Sequence, residues 1–272
     1  MILAKFIPRD SQKYQSINKE ISVYSDLIEK YNILHLFAIW TMTVSGFTFM
    51  QGQLDRYSYW DWSGCFEGMI RLTIATILFY WASTNRLWTA SNDRIRYIEI
   101  LRNIVFCSIY FLIGAVNISF EKINILGVFP YISAFAAGIL IFEFKLKYDQ
   151  TKKDWEVDSW DNKTYYFSIS LLLLITSTAM GKLLDDPIIS TVSMVSLFFP
   201  AVTLIWPNHV RHIKRVQFYP LFTLAMFTCV RAPWFLILLG LLFFTIRSVN
   251  YLKYAIIYPS FGVAQEETIV DV

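Results

Sequence analysis

Hydrophobic residues occur in long runs separated by short polar segments, and this pattern predicts an all-α bundle of membrane-spanning helices. Each run is close to 20 residues long, which is near the minimum for a helix that crosses a hydrocarbon core roughly 30 Å thick. A further apolar stretch near the C-terminus is too long for one such crossing. We therefore expect a polytopic bundle of seven or eight membrane helices, with spans at 32–51, 67–85, 101–119, 124–143, 165–183, 187–206 and within 217–249.

The stretch 217–249 is interrupted by Arg231, Ala232 and Pro233. Pro233 has no amide hydrogen to donate, and it disfavours helical geometry at Ala232. One continuous helix would measure about 49 Å and would bury Arg231. Two short helices that turn at 231–233 would instead place Arg231 at the outer interface, where its charge costs less. We therefore favour a short hairpin, and a single kinked helix is the alternative.

Residues 12–30 carry apolar side chains at helical spacing and charged side chains elsewhere, which is typical of an amphipathic helix. The positions that share its apolar face are Tyr14, Ile17, Ile21, Tyr24 and Ile28. Asp10 or Ser11 is a candidate N-cap. Such a helix lies on the membrane or on the bundle, or it docks a partner. The pattern therefore divides the chain into a cytoplasmic N-terminal helix at 1–31, a transmembrane domain at 32–254 and a tail at 255–272.

Segments rich in Lys and Arg alternate along the chain with segments that are poor in them. The loops after the first, third and fifth spans hold Arg56, Lys122 and Lys182, whereas the other polar segments hold three or more basic residues each. Because basic loops stay in the cytoplasm, we expect a cytoplasmic N-terminus, and we interpret the chain as a protein of a bacterial cytoplasmic (inner) membrane. The basic residues form no continuous face, so the expected partners are lipids and membrane proteins or a second copy, and not nucleic acid.

Composition agrees with a chain whose solvent is mostly lipid. Charged residues make up 17% of the chain, compared with about 25% in an ordinary soluble domain. No nucleotide-binding loop, nucleophile elbow or zinc-binding helix motif is present. The segment 217–246 contains no lysine, which excludes a retinal Schiff base of the kind that retinal proteins form there.

The densest group of polar residues falls on the predicted cytoplasmic side. It is called here the cytoplasmic polar set, and its members are Asn85, Arg86, Asp93, His209 and Arg211. Arginine, amide and imidazole groups donate hydrogen bonds, so the set is a candidate binding site for an anionic headgroup or a phosphate-bearing substrate. The alternative is that its arginines only anchor the cytoplasmic loops. That alternative leaves Asn85 and Asp93 without a role.

Two histidines near the predicted inner ends of their spans, His35 and His209, are a possible haem-ligand pair or proton-transfer pair. They lack the helical i, i+4 spacing of a metal site, so we expect no cofactor and no metal, and haem is the alternative. On the opposite side, Asp186 precedes Pro187 and is expected to cap the helix that begins there. Asp185 has no such role, and a cation or proton site at this turn is the alternative.

Three function classes remain. The first, which we favour, is a non-enzymatic subunit of a larger membrane assembly. The N-terminal helix and the loop 144–164, which carries Trp155 and Trp160 among mixed charges, would be its docking segments. The second is a transporter or channel for a small solute or ion, which the broken stretch 217–249 favours. The third is a membrane enzyme that acts on lipid at the cytoplasmic interface through the cytoplasmic polar set.

The alternation of basic segments allows a direct test of orientation. A cysteine placed at Tyr57 should react with a membrane-impermeant thiol reagent in intact cells, whereas a cysteine at Lys152 should not. Labelling is measured against the parent chain, whose three cysteines set the background. Labelling at position 152 but not at 57 would reverse every side assignment.

Overall fold

The computed structural model describes residues 2–30, 33–85, 87, 97–116, 125–142, 146–149, 154–157 and 162–254. Its helices are α1 (Ile2–Phe6), α2 (Gln12–Lys30), α3 (Ile33–Leu54), α4 (Cys65–Thr84), α5 (Tyr97–Ala115), α6 (Ile125–Phe142), α7 (Lys163–Leu183), α8 (Pro187–Ser196), α9 (Phe198–Ile205), α10 (Val210–Thr228) and α11 (Pro233–Tyr254). Two short strands, β1 (Leu146–Asp149) and β2 (Asp154–Val157), lie between α6 and α7. The predicted all-α bundle is confirmed.

Five helical segments in the described ranges are long and apolar enough to cross a membrane. They are Cys65–Thr84, Tyr97–Ala115, Lys163–Leu183, Pro187–Ile205 and Pro233–Lys253, and Ile125–Ile141 is a shorter apolar helix. Each of the six coincides with a predicted span. The span Pro187–Ile205 is made of α8 and α9, which meet at Leu197. The chain therefore has the helices of an integral membrane protein.

The predicted break in the stretch 217–249 is confirmed, because α10 ends at Thr228 and α11 begins at Pro233. The amides of Arg231 and Ala232 both donate to the carbonyl of Thr228, at 3.1 and 3.0 Å, which closes the turn. Arg231, which the hairpin interpretation places at the outer interface, is buried within the protein and only 3% exposed. Helix α10 begins at Val210, so the basic segment that the hydropathy pattern assigns to a loop is helical.

The chain divides into two compact units, and the first consists of Met1–Phe37 and Leu236–Val272. Within it, the Ser11 hydroxyl accepts a hydrogen bond from the Tyr14 amide at 3.1 Å and so caps α2. The buried rings of Tyr14 and Tyr251 meet edge to face with centroids 5.6 Å apart. The hydroxyl of Tyr14 donates to the carbonyl of Tyr251 at 3.1 Å, and that of Tyr251 donates to the carbonyl of Ile7 at 2.6 Å. The described part of the predicted apolar face therefore packs on protein.

The second unit, Ala38–Phe235, contains a helical core joined by interhelical hydrogen bonds. Small hydroxyl side chains on α6 and α7 donate across the helix pair: Ser170 to the carbonyl of Ala137 at 2.9 Å and Ser133 to that of Leu173 at 2.8 Å. Ser177 donates to the carbonyl of Pro130 at 2.8 Å. In lipid, where no water competes for these groups, such bonds and small residues let helices approach closely.

Two glycines allow α3 and α5 to touch backbone to backbone. A methyl group at Gly46 would overlap the carbonyl oxygen of Phe111, and one at Gly114 would overlap that of Thr43. Gly138 on α6 is the opposite case, because a methyl group there meets nothing within 4 Å. The α3–α5 contact therefore depends on the absence of side chains at both glycines.

The segment expected as a loop at 144–164 contains an antiparallel hairpin. Leu146 pairs with Val157, and Tyr148 pairs with Trp155. Apolar and charged residues do alternate in both strands, which is the usual signal of a strand, but each run has only four residues and lies in a segment of mixed charge, so the sequence analysis interpreted it as a loop.

Alanine substitutions at two glycines should have different effects on stability, because one glycine lies in the close α3–α5 contact and the other faces open space. Gly114→Ala should destabilise the protein by about 1–3 kcal/mol, because the new methyl group forces α3 and α5 apart. This corresponds to a fall of roughly 2–10 °C in melting temperature. Gly138→Ala is the control and should leave the melting temperature unchanged or slightly higher. Equal effects of the two substitutions in detergent-solubilised protein would contradict the close approach.

Candidate functional site

The structure gives Asn85 a local role. Its side-chain amide donates to the carbonyl of Trp81 at 2.8 Å, where it caps the C-terminal end of α4. Arg86 and Asp93 lie outside the described residues, as does the side chain of Arg211. His209 occupies the N-cap position of α10. The cytoplasmic polar set as a binding site therefore stays a prediction, but Asn85, one of the two residues that loop anchoring left without a role, now has one.

His209 lies beside His212, with ring centroids 4.4 Å apart, and Trp206 packs on His212 at 5.6 Å. Partial burial lowers the pKa of His212 below its ordinary value, and the neighbouring His209 and Arg215 lower it further. Among the residues that the structure describes, no three His, Cys, Asp or Glu side chains group as metal ligands would. His35 belongs to the first unit and His209 to the second, so the haem pair stays an untested alternative.

At the opposite end of the second unit, three loop segments come together. This end is called here the Asp185 end. The carboxylate of Asp185 forms an ion pair with Arg56, and the Asp185 backbone is left-handed with φ 59°. The amide of Trp60 donates to the carbonyl of Val230 at 2.8 Å. These contacts place the loop after α3, the turn before α8 and the break before α11 at one end, as the alternation of basic and basic-poor segments predicts.

Asp186 caps α8 as predicted. One of its carboxylate oxygens accepts from the amides of Ile188 and Ile189, at 3.0 and 3.3 Å. The other accepts from the hydroxyl of Tyr131 on α6 at 2.8 Å. Each carboxylate oxygen of Asp186 is thus engaged within the protein, and the residue joins the start of α8 to α6.

Arg71 is a buried charge that the sequence analysis missed. It lies inside the apolar run of α4 and is only 6% exposed. Its guanidinium is bonded to the Glu67 carboxylate one turn earlier, and it donates to the carbonyls of Ile113 and Gly114, at 3.0 and 2.7 Å. The i, i+4 spacing of Glu67 and Arg71 is a signal that could have found the pair. Arg71 therefore holds the C-terminal end of α5 against α4, where a cation is favoured by the helix dipole.

Arg231 is the second buried charge at the Asp185 end, and its partners differ from those of Arg71. One terminal nitrogen, Nη2, donates to the carbonyl of Arg56 at 2.9 Å, and the ring of Tyr59 lies 5.3 Å from the guanidinium carbon. The nitrogens Nε and Nη1 are buried and have no hydrogen-bond partner among the described residues. An arginine in an apolar interior normally has every donor engaged. Arg231 thus brings positive charge with free donors into the protein.

Glycines make room for the side chains around Arg231. A methyl group at Gly52 would overlap the guanidinium nitrogen Nη1, and one at Gly68 would overlap the indole ring of Trp234. The Trp234 indole also meets the ring of Phe47 edge to face, with centroids 6.1 Å apart. Its nitrogen Nε1 and the amide oxygen of Gln51 are buried without a described partner. The Asp185 end therefore contains unengaged buried polar atoms close to a charged group.

The two ion pairs at this end should differ in their contribution to stability. Glu67→Gln should cost about 1.5–3 kcal/mol, because it removes the charged partner of an arginine that stays buried. Asp185→Asn is the matched control: it breaks a pair whose side chains are 45% and 62% exposed, and it should cost about 0–1 kcal/mol. The measurement is the melting temperature of each variant in one detergent. A larger loss for Asp185→Asn than for Glu67→Gln would contradict this ranking of the two pairs.

Comparison with protein-family models, with curated proteins and with solved structures finds no match to this chain. Its function has therefore to be argued from its own residues.

Proposed function

We propose that this integral membrane protein is a non-enzymatic subunit of a larger membrane assembly. The observation that carries the proposal is the β1–β2 hairpin, which follows α6 and precedes α7 in the chain. A two-stranded hairpin alone is marginally stable in water. A partner protein that covered the hairpin would therefore stabilise it.

The hairpin has the features of a docking element. Each strand pairs with one other strand in the described part of the chain, so each keeps a backbone edge that a further strand can join. Tyr148 pairs with Trp155 in the register, which brings two aromatic residues together in a four-residue ladder. Aromatic residues are enriched among those that contribute most to protein–protein binding.

The polar residues that the structure accounts for also support a structural role. Asn85 caps α4, Asp186 caps α8, and Arg71 joins α4 to α5. Each of these groups caps the end of a helix or joins two neighbouring helices. The proposal includes the orientation derived from the basic segments, with the N-terminus in the cytoplasm of a bacterial cell and the Asp185 end on the outer side.

A transporter or channel for a small solute or ion is the second candidate, and Arg231 favours it. A helix that breaks inside the membrane and begins again frequently points its N-terminus at an anionic ligand. Here α11 begins two residues after a buried arginine with free donors. Substrate-dependent stabilisation of the purified protein would favour this candidate over the first.

The subunit proposal is tested by native mass spectrometry of the full chain after extraction in a mild detergent. We expect a complex of fixed stoichiometry with another protein or with further copies of this chain. Trp155→Ala should weaken that complex by about 2 kcal/mol, or roughly 30-fold, if the hairpin is the docking element. The melting temperature of the variant shows whether its bundle remains folded.

The matched control is Trp62→Ala, which removes a half-exposed tryptophan at the Asp185 end and should leave the complex intact. A wild-type chain that is monomeric while it keeps its native melting temperature would refute the subunit proposal. A complex that resists Trp155→Ala would move the docking surface away from the hairpin.

A further inference from the structure

We propose that Arg231 forms the centre of a binding site for one small monovalent anion of about the size of chloride, at the Asp185 end of the second unit. The inference goes beyond the proposed subunit role and does not depend on it. It rests on the buried guanidinium, on the helix that begins beside it and on the engagement of the nearby carboxylate.

The guanidinium supplies the charge and the donors. Arg231 is 3% exposed, and its nitrogens Nε and Nη1 have no hydrogen-bond partner in the described part of the chain. The single described hydrogen bond of the guanidinium goes to a neutral carbonyl, that of Arg56, which supplies no negative charge. A buried arginine normally carries an anionic partner. Arg71 shows this arrangement nearby, since Glu67 is bonded to it.

The start of α11 adds to the positive potential. Pro233 is the first residue of this 22-residue helix and follows Arg231 by two positions. The N-terminus of a helix carries a partial positive charge and free amide groups, which favour a bound anion. The indole nitrogen of Trp234, in the first turn, is a further buried donor without a described partner. The positive charge of Arg231, the N-terminus of α11 and the indole donor of Trp234 thus all lie within the four residues 231–234.

A carboxylate near this site is already engaged. Asp186 and Arg231 both interact electrostatically with Tyr131. The carboxylate oxygens of Asp186, however, accept hydrogen bonds from the amides of Ile188 and Ile189 and from the hydroxyl of Tyr131. Asp186 therefore caps α8 and lowers the local positive potential, but its hydrogen bonds leave Nε and Nη1 of Arg231 unused.

The surroundings of the guanidinium limit the size of the ligand. Gly52 packs directly against Nη1, so that even a methyl group there would overlap it. The ring of Tyr59 lies 5.3 Å from the guanidinium carbon, and the amide of Trp60 ties the covering loop to Val230. A bulky solute would have to displace this loop. A single compact anion satisfies the free donors with the smallest rearrangement.

The test is the melting temperature of the full-length protein in detergent, measured in sodium chloride and in sodium gluconate at equal ionic strength. Gluconate is too large for the site and serves as the reference anion. Chloride at about 100-fold above its dissociation constant should raise the melting temperature of the wild type by roughly 5–10 °C. Arg231→Gln removes the charge, and Gly52→Ala pushes a methyl group into the guanidinium, so both should abolish the rise.

The matched control is Lys182→Gln, which removes an exposed positive charge at the same end and should keep the full chloride effect. An equal rise in all four proteins would show a general salt effect and would overturn the proposal, as would the absence of a rise in the wild type. If Arg231→Gln and Gly52→Ala do not fold, the test is an anomalous difference map from wild-type crystals soaked in bromide. An anomalous peak beside Arg231 supports the site, and a map without that peak refutes it.

Discussion

A guanidinium group placed among apolar helices has to find its hydrogen-bond partners within the protein, and the Asp185 end is organised around this requirement. Arg71 meets it with a carboxylate on its own helix and two carbonyls at the end of α5. The exposed carbonyls at a helix C-terminus need donors, and a buried cation needs acceptors. One side chain thus satisfies both needs and fixes two helices in register.

Arg231 has hydrogen-bond partners within the described residues for only part of its guanidinium group. This difference from Arg71 is the reason to consider Arg231 as a ligand-binding residue. Arg231 lies in the break between α10 and α11, where the backbone is not helical. The loop after α3 then folds over it, with the carbonyl of Arg56 and the ring of Tyr59 in contact. The remaining donors face an interior where an unpaired charge is costly. A structural arginine and a ligand-binding arginine are therefore distinguished by how many of their donors the protein itself engages.

Glycine positions decide how closely these groups approach. Gly46 and Gly114 bring the backbones of α3 and α5 together, and Gly52 admits the guanidinium of Arg231. Serine hydroxyls on α6 and α7 add hydrogen bonds between helices. In a lipid environment the hydrophobic effect contributes little between helices, so small residues and interhelical hydrogen bonds supply the specificity.

The sequence by itself determined the features that depend on neighbouring residues. Apolar runs predicted the helices, Pro233 predicted the break, and Asp186 with Pro187 predicted a capped helix start, because periodicity, proline geometry and capping all act within a few residues. The α2 helix and the cap by Ser11 follow from the same local rules.

Only the tertiary structure decided where the charges are buried and what they contact. Arg71 reaches a carbonyl 43 residues away, and Arg231 reaches one 175 residues away. Nothing in the pattern around Arg231 shows that a distant loop covers it, so the sequence predicted a position near the outer interface but not the burial of Arg231 within the protein. The hairpin was missed because each strand has only four residues, and the pairing between the two strands is a contact that neither short run predicts alone. Contacts between residues far apart in sequence depend on how the helices pack, and packing is a property of the folded chain as a whole.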